Sequence, residues 1–165
     1  MKSRTLAIVA SILGEEGGIW DDPIGGMTNF GVRQVTLDAL LAKGYDFPKD
    51  VTDLKMGDAF LIIESQYLAD SPSGTNRILE LPKPLDNLLA HMRVMSWDNG
   101  VRIAQELVGV TVDGICGINT VRALKDDPRS PTVLASIIAD EFCRRCTNGY
   151  QKSYVARFNR VIAHN

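Results

Sequence analysis

The chain has 165 residues, 45% of them hydrophobic and 23% charged, enough to bury one good core or two small lobes, and a single folded unit is the expectation. Its formal net charge is only −2, but residues 129–165 carry six Lys or Arg against two acids, a local +4 that leaves −6 for the rest. The aromatics near these basic residues do not interleave in a way that suggests a nucleic-acid partner; Arg144, Arg145, Lys152, Arg157 and Arg160 read as a solvated helical face, with contact to an anionic envelope as the alternative.

Lys2 and Arg4 precede the apolar run from Leu6 to Leu13, which imitates a weak signal peptide. The run is too short to span a bilayer, and cleavage near its end would remove the helix ahead of Glu16, so it reads as the first core helix; no stable membrane insertion is expected. Val9, Ile12, Leu13 and Glu16 fall at i, i+3, i+4 and i+7, the spacing of one helical face, so Glu16 continues a buried stripe while Glu15 turns outward above Ser11. Burial there disfavours the charged carboxylate and suits Glu16 to donate a proton at neutral pH. Gly17 and Gly18 stop the helix, and Gly25-Gly26 permits a tight turn in which backbone can approach a ligand. Read by itself, Glu-Gly-Gly is also the ordinary end of a capped helix.

Between Gly25 and Val32 the pattern suggests strand, so a small β-hairpin is expected in an otherwise helical chain. Val35, Leu37, Leu40 and Leu41 predict a helix ending near Gly44; Met56, Phe60, Ile63 and Tyr67 predict another, with Thr52-Asp53 supplying its cap. Residues 70–82, with Ser71-Pro72-Ser73-Gly74 and Pro82, read as a loop at the edge of a substrate groove. Leu85, Leu88, Leu89, Met92 and Met95 form a third stripe beginning after Pro84. Cys116, Cys143 and Cys146 are an odd count without a disulfide framework and read as reduced thiols; Cys143 and Cys146 have helical i, i+3 spacing, and neither they nor His91 and His164 make a convincing metal set. No cofactor is expected.

Taken together, Glu16-Gly17-Gly18, Asp22-Pro23, Gly25-Gly26 and Thr28-Asn29-Phe30-Gly31 closely resemble the opening motif of glycoside hydrolase family 108, the N-acetylmuramidases of phage and prophage endolysins. The resemblance implies a mainly α, lysozyme-like fold with the hairpin near the active site, Glu16 as catalytic acid and Thr28 beside the cleaved bond. That family carries a second aspartate just before its second glycine pair, whereas this chain passes from Pro23 through Ile24 to Gly25, and Ile19 replaces an aromatic. Asp22 is the best substitute and Asp21 the next; an Asx turn ahead of Pro23 accounts for Asp22 equally well.

Further on, Leu107-Val108-Gly109-Val110, Asp113-Gly114, Gly117, Thr120 and Ala123-Leu124 are similar to the peptidoglycan-binding region that follows the catalytic part in that family, with Asp98-Asn99-Gly100 a partial match to its Asn-x-Gly. The implied organisation is a catalytic region over 1–95 and a helical binding-like region over 96–165, packed as one unit. Glycosidic cleavage needs one protonated acid and one anion or activated water. Glu16 supplies the proton, while Asp22 stabilises the oxocarbenium-like charge or activates a water oriented by Thr28. Without a second carboxylate, the same acid serves a lytic transglycosylase, in which a sugar hydroxyl attacks; without chemistry, the chain is a cell-wall-binding module. Tyr67, Trp97 and Asn99 are candidate sugar contacts, with core packing the alternative for the two aromatics. The expected partner is bacterial peptidoglycan, the expected state a monomer, and the expected location the host cytoplasm until the membrane is opened.

Overall fold

The computed structural model describes residues 2–22, 26–68, 76–147 and 149–164, with nothing to be said of the Lys2 and Asp22 side chains. Among the described residues it is mainly α, with eight α-helices and one small antiparallel sheet. By contact the chain divides into two units, Lys2–Gln66 and Tyr67–Asn165.

In the first unit, α1 (Lys2–Glu16) buries Ile8, Val9, Ile12 and Leu13 on the stripe legible in the sequence and packs on α3 (Met56–Ile63). Gly17, at φ +69°, ends it. Three strands follow in a meander: β1 (Trp20–Asp22), β2 (Gly26–Asn29) and β3 (Val32–Arg33). The expected hairpin is therefore the inner part of a three-stranded sheet, extended because Trp20, Asp21 and Asp22 pair with Thr28, Met27 and Gly26. Phe30 and Gly31 make its β2–β3 turn, both at positive φ (52° and 75°), the two-residue geometry whose twist matches antiparallel strands.

α2 (Gln34–Ala42) ends as expected near Gly44, which takes φ +85°, but only Leu37 and Leu40 of the four apolar positions are buried; Val35 is exposed. The cap expected at Thr52-Asp53 is displaced: Asp50 caps a single 3-10 turn, Val51–Asp53, by accepting from the Thr52 N–H, and α3 starts beyond it, where Asp58 accepts the Lys55 N–H. Met56 is accordingly exposed, whereas Ala59, Ile62 and Ile63 fill the core.

In the second unit, α4 (Leu85–Ser96) begins just after Pro84, as the stripe predicts, and packs on α5 (Asn99–Val108), α7 (Pro131–Arg145) and α8 (Gln151–Ala163); α6 (Ile118–Asp126) packs on α5. Ser130 caps α7 by accepting from the Val133 N–H, with Pro131 at the first helical position. At Gly100 a Cβ would lie 2.8 Å from Met92 Cβ, so the missing side chain is what lets α5 approach α4. Of the loop expected over 70–82, residues 70–75 lie outside the described residues; Ile78–Glu80 is a 3-10 turn with Ile78 buried. Arg157 departs from the expected solvated face: it is buried, and its Nε donates to His91 Nδ1 at 2.9 Å, which places the proton of a neutral His91 on Nε2. Arg144 and Arg145 do lie at the surface, paired with Glu141, and Arg145 also with Glu106. Among the described residues, no helix is long and apolar enough to cross a membrane.

Candidate active site

Glu16 is the last residue of α1 and is half-buried, as is Glu15, so the expected contrast between the two carboxylates is weaker than the helical spacing suggests. What distinguishes Glu16 is its contact. A Cβ built on Gly31 would lie 2.7 Å from Glu16 Cγ, 2.7 Å from Oε2 and 2.9 Å from Cδ. The carboxylate therefore occupies the space that any other residue at position 31 would fill, and the turn of the β2–β3 hairpin forms one wall against it. Gly31 is required twice over, by this approach and by its φ of +75°.

Thr28 lies on the central strand of the same hairpin, half-buried, with its hydroxyl donating to the Trp20 carbonyl at 3.1 Å. A hydroxyl that donates to backbone keeps its lone pairs, so it can still accept from a water or a sugar hydroxyl. Asp21 is exposed on β1. The backbone of Asp22 pairs with Gly26, but its side chain lies outside the described residues, as do Pro23, Ile24 and Gly25.

The hairpin is held from below by a residue that the motif contains but whose role sequence reasoning missed. Asn29 is buried, and its Nδ2 donates to the carbonyls of Val51 (3.1 Å), Leu54 (3.2 Å) and Thr52 (3.5 Å). The signal was present: an amide paired across strands with the apolar Val32 must find partners if that face is buried.

The remaining candidates belong to the second unit. Tyr67 is buried and its ring lies 5.2 Å from that of Trp97, tilted by 42°, so packing accounts for it. Trp97 is 57% exposed and stands at φ +56° between α4 and α5, an unusual conformation for a bulky residue. Asn99 is exposed in the first turn of α5.

The 107–120 pattern has a structural use of its own. Gln105, buried on α5, accepts from the Asp113 and Gly114 N–H groups and donates to Asp113 Oδ1, the Ile115 carbonyl and Thr120 Oγ1. Gly109 takes the left-handed position that ends α5, Gly114 (φ +77°) lies against the Asp98 carboxylate, and Arg102 ties Asp98 to the Val112 and Asp113 carbonyls. These residues fold the α5–α6 connection around one amide. Nothing in the sequence set Gln105 apart from the polar Arg102 and Glu106 on the same helix. The thiols of Cys116, Cys143 and Cys146 are free, and burial pushes Cys116 up to about 12. Among the described residues, no three His, Cys, Asp or Glu side chains gather as metal ligands would.

No protein-family model matches the chain, and no curated protein matches its sequence. Its fold is similar to the solved structure of SagA from Brucella abortus, with a TM-score of 0.78 at 23% identity over 99% of this chain and 94% of that one. A likeness at that identity speaks to the fold.

Proposed function

We propose that this chain is a peptidoglycan hydrolase that cleaves the β-1,4 bond between N-acetylmuramic acid and N-acetylglucosamine, with Glu16 as general acid. The observation that carries the reading is the Glu16 carboxylate seated against Gly31, at a hairpin turn whose glycine leaves space for that carboxylate. A carboxyl group fixed between a helix end and a strand turn has lost rotamers before substrate arrives, which is the preorganisation that proton donation to a glycosidic oxygen uses. The resemblance of segment 16–31 to the family 108 motif supplies the substrate class.

In this reading Glu16 protonates the leaving oxygen as the bond lengthens and positive charge spreads over the sugar ring. Asp22 faces that charge or takes the proton of an attacking water, with Asp21 as its substitute and Thr28 accepting a hydrogen bond from that water. Host-cell lysis is the biological setting that fits such an enzyme, with the wall reached from the cytoplasm once the membrane is breached.

Mass spectrometry of fragments released from purified peptidoglycan tests this. Wild type should yield reducing muramic ends, and Glu16→Gln, which keeps the shape but has no proton to give, should lose at least nine-tenths of the release while melting at the same temperature. Anhydro ends would replace the hydrolase by a transglycosylase using the same acid. Wall binding without fragments would reduce the chain to a binding module.

A further inference from the structure

One face of the sheet carries two side chains, Trp20 and Arg33, that the chemistry above leaves unused. Antiparallel partners project to the same side of a sheet, and Trp20, Thr28 and Arg33 stand opposite one another across β1, β2 and β3. They form one transverse row. The next pair, Asn29 and Val32, points the other way and is buried, so the row faces away from the core. Trp20 is 63% exposed and Arg33 is exposed, and the Thr28 hydroxyl, by donating to the Trp20 carbonyl, helps fix the strand on which the indole rides.

We propose that Trp20 is a sugar-stacking residue of the first unit and that Arg33, on the same face, selects glycans bearing a carboxylate. The proposal rests on the reading of peptidoglycan as substrate. An exposed indole offers a flat apolar surface to the C–H face of a pyranose at little entropic cost, having only two side-chain torsions to fix. A guanidinium presents a planar fork of donors that matches a carboxylate, which a muramic residue carries on its lactyl group where no peptide is attached and on the stem peptide where one is, and which neutral chitin lacks. Two inter-strand spacings separate β1 from β3, roughly 10 Å, so the two side chains meet different parts of a chain-like ligand. Trp20 also stands four residues beyond Glu16 and two before Asp22, so a ring stacked on it lies alongside the segment that carries the proposed acid.

The test measures binding, so that it stays separate from cleavage. In the full chain carrying Glu16→Gln to preserve the ligand and Trp97→Phe to leave Trp20 as the only indole, emission is followed during titration with a soluble tetrasaccharide of alternating N-acetylglucosamine and N-acetylmuramic acid. Neutral chitotetraose is titrated in parallel, and calorimetry gives the same affinities for variants without an indole. Both ligands should change the emission. Trp20→Ala should weaken both by about tenfold, about 1.4 kcal/mol, Trp20→Phe by less than threefold, and Arg33→Gln should weaken only the muramic ligand, by about fivefold. The stacking role is overturned if Trp20→Ala binds both ligands within twofold of its parent, or if the parent binds neither. Equal losses for both ligands in Arg33→Gln overturn the selection by carboxylate. Absence of fragments from the wild-type chain would sink the hydrolase reading without touching these affinities.

Discussion

Gly31→Ala separates the two demands that meet at the hairpin turn. The first is conformational: an alanine held at φ +75° costs about 1–2 kcal/mol, which in a chain of this length lowers the melting temperature by roughly 2–8 °C. The second is steric. The new methyl would lie 2.7 Å from Glu16 Oε2, where ordinary contact begins at 3.4 Å, so the carboxylate must retreat by about 0.7 Å or rotate away. A misplacement near 1 Å of a reacting group can cost about a hundredfold in rate. Gly44 supplies the control: it has φ +85° and nothing within 4 Å of its missing Cβ, so Gly44→Ala bears the backbone penalty without the collision. Thermal melts followed by circular dichroism should show the backbone loss in both variants, with any further loss in Gly31→Ala coming from the collision. Fragment release from purified peptidoglycan should fall about a hundredfold in Gly31→Ala and hardly at all in Gly44→Ala. Equal activity in the two, at equal stability, would refute the argument that Glu16 does its work from the seat against Gly31.

Gln105→Leu should cost about 3 kcal/mol in urea unfolding, because it strands the Asp113 and Gly114 amides and several acceptors at once. Hydrogen exchange at those two amides should quicken, and a loss below about 1 kcal/mol would show that the connection holds without its amide hub. Glu141 is held down to about 2 by hydrogen bonds from Arg144 and Arg145, and Arg145 also lowers Glu106. Because these folded-state values are depressed, their stabilisation is present above the unfolded carboxylate value and drains away as pH falls from about 4.5 toward 2. Arg145→Gln should therefore flatten the acid limb of the melting-temperature profile between pH 5 and 2, and an unchanged slope would count against the pairing. Alkylation by iodoacetamide at pH 8 should reach the partly exposed Cys146 first and Cys116 only on unfolding, since burial keeps the Cys116 thiol protonated; early labelling of Cys116 would contradict its burial.

Periodicity recovered the elements whose burial is one-sided and continuous. The stripe ending in Ile12 and Leu13 placed α1, and the residues following Pro84 placed α4, because a helix that must bury one face writes that face at fixed spacing. Short elements escaped. β1 has three residues, and its pairing depends on Gly26 and Met27 rather than on any pattern of its own. Residues 50–58 misled because Thr52 and Asp53 have the same capping chemistry as Asp50 and Asp58, which make the actual caps, and the choice is settled by where Val51 and Leu54 are buried. At the candidate site, Glu16 and Gly31 were each legible as residue types, but their contact joins a helix end to a turn fifteen positions on, which no local spacing encodes. Arg157 shows the same limit: its partner, His91, lies in another helix, so a basic residue among basic residues read as surface.

The reach of Asn29 bears on how this chain can be recombined. Its carboxamide spends its protons on carbonyls at 51, 52 and 54, beyond the whole of α2. Segment 16–33 therefore looks like a self-contained cassette but is not portable: set into a scaffold without the 50–54 turn, it would bring a buried amide with no acceptors to meet. Libraries that vary 17–22 while keeping Asn29 together with Asp50–Leu54 preserve the joint. A crossover placed between the end of α2 and Val51 cuts it, even though no residue of the motif has been changed.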